Sequence, residues 1–331
     1  METVEIDAAG QATTVVEDHD SLQSKAEISN NVSLRSSTEE EDKRLKICPF
    51  GPISSQSTIV DDSEEFPEPE DPLRKLDDYV EPRKESFLEQ YKRQCQIYGV
   101  TPIGVVCEVL SVIEQDPSTP VEVDLNRYGS SNLQVQIALD VLASACPNVL
   151  EYLNLSFNLL MSETVACALS NMLQVAQKIT ILDLSHSTLN DQAVSQIAEA
   201  ISTSNIQKMV LKNCYISDSA GAELFRKLIS CEGLEELDLS WNRLEYQTGS
   251  SAALFLAENK ILKELNLEGN FLYLGKECIV PFLRELSKNE TLKKLNLAWN
   301  ALGGELFSQW LPKAVLNSHV EVLNLQMNYG K

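Results

Sequence analysis

Histidine is scarce in this chain. Three occur in 331 residues, at His19, His186 and His319. They are too far apart to read as a metal cluster. No G-x-S-x-G and no H-E-x-x-H is found, which removes the nucleophile elbow and the zinc helix. No run of eighteen apolar residues occurs, so no membrane-spanning helix is expected. The first residues lack a basic start followed by an apolar run, so an ordinary secretory leader is not expected. The eight cysteines are scattered without a C-x-x-C pair. In a chain read as unexported they are expected to be reduced and mostly buried. The sequons at Asn31, Asn154 and Asn289 then carry little weight.

One stretch imitates a phosphate loop. GNFLYLGKE (269–277) has five residues between its glycines instead of four, and Glu277 follows Lys276 where Ser or Thr is needed. Paired acids such as Glu235 and Glu236 read as surface residues flanking a strand. No catalytic residue, metal or cofactor is therefore expected, and the chain reads as no enzyme.

What the chain has is acid, apolar residues and a period. The formal net charge is −22 and 43% of residues are hydrophobic. That composition affords a sizeable core and argues against nucleic acid or an anionic membrane as partner. The acid is uneven: residues 1–82 carry 21 acids against 7 bases. DDSEEFPEPEDP (61–72) mixes acids with prolines. Residues 1–82 read as a disordered tail, too poor in apolar surface to offset chain entropy. KRLKICPF (43–50) is a basic-apolar island within it, read as linker or as a docking peptide. Ser37, Thr38 and Thr58 precede acids in the manner favoured by acid-directed kinases. The plainer reading is an entropic, solubilising tail.

From residue 83 the texture changes. Phe87, Leu88, Tyr91, Cys95 and Tyr98 recur at helical spacing, and Gly99 and Pro102 end that helix. A second helix is expected over 103–115, so residues 83–119 read as a helical cap. Seven copies of one pattern follow, at Leu150, Ile179, Ile206, Leu234, Leu262, Leu292 and Val320. An eroded copy, VEVDLNRYG, precedes them at 121–129. The good copies follow L-x-x-L-x-L-x-x-N-x-L, with Ser187 and Cys214 standing for the Asn in two of them. The alternating leucines predict a short strand facing inward. Segments between copies, such as DQAVSQIAEAIS (191–202), have the three-and-four spacing of helices. One strand and one helix per unit bury a face only by stacking on neighbours. Residues 120–331 are therefore expected to build a horseshoe, with parallel strands lining the concave side and helices the convex side.

The period and motif resemble the ribonuclease-inhibitor class of leucine-rich repeats over roughly 120–331. The lead-in YKRQCQIYGVTP, with Cys95, Gly99, Val100 and Pro102, is similar to that of the leucine-rich repeat-containing protein 74 family. Both likenesses imply a cytoplasmic protein-binding scaffold. Relatives of this repeat class include GTPase activators, whose acidic segment follows the repeats instead of preceding them. They also include axonemal components, which keeps a ciliary role open.

Alternate strand residues should face the concave side in columns. The first is Tyr152, Ile181, Lys208, Glu236, Glu264, Lys294 and Val322. The middle one is Asn154, Asp183, Val210, Asp238, Asn266, Asn296 and Asn324. It reads either as a structural ladder or as part of a binding surface. The expected partner site is the acidic patch Glu236, Asp238, Glu264 and Glu268, with Lys208 and Lys212 one repeat earlier. On the lip beyond the strands, Trp241 and Trp299 are candidate anchors. At the far end Val320, Val322, Leu323 and Leu325 read as an edge strand without a following cap. Three readings of that edge stand open: an interrupted longer chain, pairing with another copy or a partner strand, or cover from the helix over 303–317. Self-association through the uncapped edge is thus one expectation.

Overall fold

The computed structural model describes residues 2–6, 12–16, 85–128, 131–158, 162–272 and 276–328. Helix α1 (Phe87–Ile97) begins in a capping box, with Ser86 and Glu89 each bonding the other's backbone N–H. It ends at Gly99, whose φ of +65° favours a residue without Cβ. Tyr91 is fully buried, and its hydroxyl accepts the Ile103 N–H at 2.9 Å. That bond joins α1 to α2 (Gly104–Gln115).

Strands and helices then alternate. The strands are β3 (Val121–Asp124), β4 (Leu150–Asn154), β5 (Ile181–Asp183), β6 (Lys208–Val210), β7 (Glu236–Asp238), β8 (Glu264–Asn266), β9 (Lys294–Asn296) and β10 (Val322–Asn324). Between them lie α3 (Asn132–Ala145), α4 (Glu163–Val175), α5 (Asp191–Ser202), α6 (Asp218–Leu228), α7 (Tyr246–Glu258), α8 (Lys276–Leu286) and α9 (Gly304–Asn317). From β3 to β10 every pairing is parallel and in sequence order. The outcome is the open, curved leucine-rich repeat fold that the period implies. Each short strand buries its central residue, for example Leu182, Met209, Leu237, Leu265 and Leu295, and leaves its flanking residues on the open face.

The repeat asparagine holds neighbouring units together. The Asn242 amide donates to Leu211 O at 2.8 Å in the preceding repeat and to Leu239 O at 3.0 Å in its own. Asn158, Asn270, Asn300 and Asn328 make the corresponding pairs of bonds. Where the motif departs, the substitute reaches the same carbonyl. Ser187 Oγ donates to Leu155 O at 3.1 Å, and Cys214 Sγ to Leu184 O at 3.0 Å.

On the helical side, α4, α5 and α6 carry their own N-caps in Ser162, Asn190 and Ser217. Helix α7 borrows one. Asp218, at the start of α6, accepts from Glu245 N, Thr248 N and Gln247 N at 2.8 to 3.0 Å. Gly221 lets the two helices approach: a Cβ there would lie 2.5 Å from Leu244 and 2.6 Å from Thr248.

Two features go beyond what the sequence leads one to expect. The acidic tail contains two strands, β1 (Glu2–Ile6) and β2 (Ala12–Val16), which pair antiparallel along their length. ETVEI and ATTVV are rich in β-branched residues, which suit a pleated ribbon. The rest of the tail, including 43–50, Ser37, Thr38, Thr58 and 61–72, lies outside the described residues. The far edge is not bare either. β1 lies antiparallel on β10, with Val4 opposite Leu323 and Glu5 opposite Val322. The edge for which self-association is one of three open readings is thus occupied by the chain's own first strand. The motif could not reveal this, because β1 carries no leucine-repeat signature.

Candidate functional site

The register sets the predicted columns side by side. Lys208 is opposite Glu236, Glu236 opposite Glu264, and Glu264 opposite Lys294. These residues, with Asp238, Asn266 and Asn296, line a concave cavity of about 340 Å³ over β6 to β10.

The acidic patch is more balanced than its sequence suggests. Lys208 Nζ lies 2.7 Å from Glu236 Oε2, and Lys294 Nζ 2.6 Å from Glu264 Oε1. The hydrogen-bonded Glu236 carboxylate holds the Lys208 ammonium above its usual range, and Glu264 does the same for Lys294. Both pairs are half-exposed, so solvent screening leaves them little weight in stability. Their use is to fix the order of charge across four strands: plus, minus, minus, plus. Lys294 was not among the predicted site residues, although it stands in the same column as Glu264. Lys212 lies on the same strand path but has no ion-pair partner among the described residues.

The middle column is largely committed to the backbone. Asn154, Asp183, Asp238, Asn266, Asn296 and Asn324 each accept the N–H two residues on, at 2.8 to 3.1 Å. That is the turn-forming use of Asn and Asp. Asp238 also accepts from the Asn266 amide at 3.0 Å, so both of its oxygens are engaged. Glu268 similarly accepts from the Asn296 amide at 2.8 Å.

The lip has a backbone signature. Phe157, His186, Asn213, Trp241, Gly269, Trp299 and Met327 all have φ between +51° and +67°. The chain turns away from each strand through a left-handed residue, which a side chain tolerates at a cost of about 1 kcal/mol. Gly269 has a second reason to be glycine. A Cβ there would fall 2.6 Å from the Trp241 ring. Trp241 lies across that gap and meets Trp299, two repeats away, with ring centroids 6.0 Å apart. Both indoles stay 42% and 46% exposed. At the other end of the lip, Arg127 sits 4.5 Å over Phe157, which stacks on His186 at 4.2 Å. His186 Nδ1 and Asn213 Nδ2 are 3.0 Å apart. The stacked position of His186 depends on neighbours a repeat away on either side.

Among the described residues no helix is long and apolar enough to cross a membrane.

A family match agrees with the repeat pattern over part of the chain. The family described as Leucine Rich repeat matches residues 288–305. NACHT, LRR and PYD domains-containing protein 3 of Mus musculus is 30% identical over 194 residues, covering 56% of this chain and 18% of that protein. NACHT, LRR and PYD domains-containing protein 9 of Bos taurus is 28% identical over 136 residues, 40% of this chain and 14% of that one. The chain thus spans under a fifth of the length of these relatives. Among solved structures, Leiomodin-1 Actin-Binding Site 2 (ABS2) aligns with a TM-score of 0.36 at 17% identity, over 42% of this chain and 82% of that one. The tropomodulin C-terminal domain of Caenorhabditis elegans gives 0.34 at 13%, over 56% and 92%.

Proposed function

We propose that this chain is a non-enzymatic, cytoplasmic adaptor that holds a protein partner on its concave face. The partner contacts Glu236, Asp238, Glu264, Glu268, Lys208 and Lys212, with Trp241 and Trp299 as anchors on the lip. One observation carries the reading: the strands whose charged residues line the cavity, β7 and β9, lead into a lip where two half-exposed tryptophans stand with ring centroids 6.0 Å apart. Exposed rigid aromatics beside fixed charges are the usual composition of an interface centre. The narrower kinship with the leucine-rich repeat-containing protein 74 family rests on Cys95, Gly99, Val100 and Pro102 and belongs to the same proposal.

The test is affinity purification from source tissue with wild type beside a Trp241→Ala, Glu236→Lys variant of matched circular dichroism. The double change should weaken the genuine partner by about 2 kcal/mol or more, as loss of anchors does. Identical partner sets from both baits would move the interface off this face. A small GTPase in the set lost by the variant would turn the adaptor reading towards enzyme regulation.

A further inference from the structure

The order of charge on the cavity floor points to the chemistry of the partner. Glu236 and Glu264 are register neighbours on β7 and β8. Adjacent strands lie about 4.8 Å apart, and like charges placed so are repulsive. The fold keeps them together by drawing each outward. Glu236 Oε2 is tied to Lys208, and Glu264 Oε1 to Lys294. Each lysine also feels the other glutamate, so the four side chains form one charge row. Two neighbouring carboxylates, each with its lysine on the far side, therefore line one cavity of about 340 Å³. No group of three or more metal-binding side chains is placed to hold an ion among the described residues. The gap between the two carboxylates suits an organic cation better than a metal.

We propose that this gap receives one arginine side chain of the protein partner, and that Lys208 and Lys294 receive acidic side chains on either side of it. This rests on the concave-face reading above. A guanidinium is planar and presents five N–H groups in a fork, so it can bridge two carboxylates at once. An ammonium is a compact point charge without that fork. The flanking lysines repel a polybasic tract, so charge complementarity selects an isolated arginine set between acids. Such a row spans three strand spacings, about 14 Å.

The experiment is selection of random displayed peptides on the full chain, followed by affinity measurement on wild type, Glu236→Gln/Glu264→Gln and Trp241→Ala. Circular dichroism first establishes that each variant is folded. Selected peptides should carry an arginine with an Asp or Glu on each side. Their affinity should fall roughly ten- to a hundredfold on the double Gln variant, the scale of charge-assisted hydrogen bonds. Replacing that arginine with lysine in the peptide should cost several-fold. Peptides without arginine, equal binding to the double Gln variant, or no enrichment at all would overturn the assignment. Peptides that depend on Trp241 but ignore Glu236 and Glu264 would sink the arginine subsite and leave the concave interface standing.

Discussion

Asn242 shows how much one side chain holds. Its amide donates to carbonyls of two repeats, and its Oδ1 accepts from Cys214 N and Ile216 N at 3.0 and 3.1 Å. Removing it strands several buried polar groups at once. Asn242→Ala should therefore cost about 2–4 kcal/mol in urea unfolding. A loss below about 0.5 kcal/mol, the scale of ordinary surface changes, would mean that water replaces it without penalty. Gly269 is a second case. Gly269→Ala adds left-handed strain of about 1 kcal/mol and drives a methyl into Trp241. The tryptophan pair should separate, which a shift in tryptophan emission would report; an unaltered spectrum would refute the packing. The columns were legible beforehand, because a constant period of about 28 residues fixes which side chains stand abreast. The Lys294 pairing with Glu264 was therefore open to view in the sequence. The need for glycine at 269 was not, since it depends on a ring reaching past one repeat to the next. Nor was the left-handed lip, where only His186, Asn213 and Gly269 are of types that suggest it.

At the scale of elements, helix α7 has no cap of its own and relies on Asp218 of the preceding helix. Asp218→Ala should destabilise by about 1–2 kcal/mol. Replacing Ser217, the cap of α6, should cost about 1 kcal/mol, so the two can be ranked by unfolding midpoints. Equal effects would argue that Asp218 acts only as a first-turn acid. The sequence signals for caps work within one helix, and this bond joins two, which is why it was not read. The β1–β2 ribbon was missed for a related reason. Five-residue strands inside an acidic segment look like the rest of that segment, and their partner β10 lies about three hundred residues away. Deleting residues 1–16 should lower the thermal midpoint and free the outer edge of β10. Sedimentation at rising concentration should then reveal association that the full chain does not show. A monomer of unchanged midpoint would assign the ribbon no role at that edge.

For the whole molecule, pH separates burial from surface charge. Burial pushes the thiols of Cys146 and Cys214 up to about 12, from an ordinary value of 9.0. Burial likewise raises Tyr91, and pairing raises Lys208 and Lys294. Every one of these groups binds its proton more tightly in the folded chain. Their contribution is fully present below the unfolded values and disappears as pH rises towards the folded ones. The urea midpoint should hold near neutral pH and fall between about pH 9 and 12. A flat profile across that window would contradict the burial of these groups.

Those same thiols mark stations along the array. Cys95 sits in α1, Cys146 at the end of α3, and Cys214 and Cys231 on either side of α6, all buried, while Cys167 on α4 is exposed. An alkylating reagent added to the native chain should consume Cys167 at once and wait for openings to reach the others. Because each repeat leans only on its neighbours, the waiting times form a clock with position written into it. If the array frays from its ends, Cys95 should react before Cys214. If all four thiols disappear together, the eight parallel strands open as one unit.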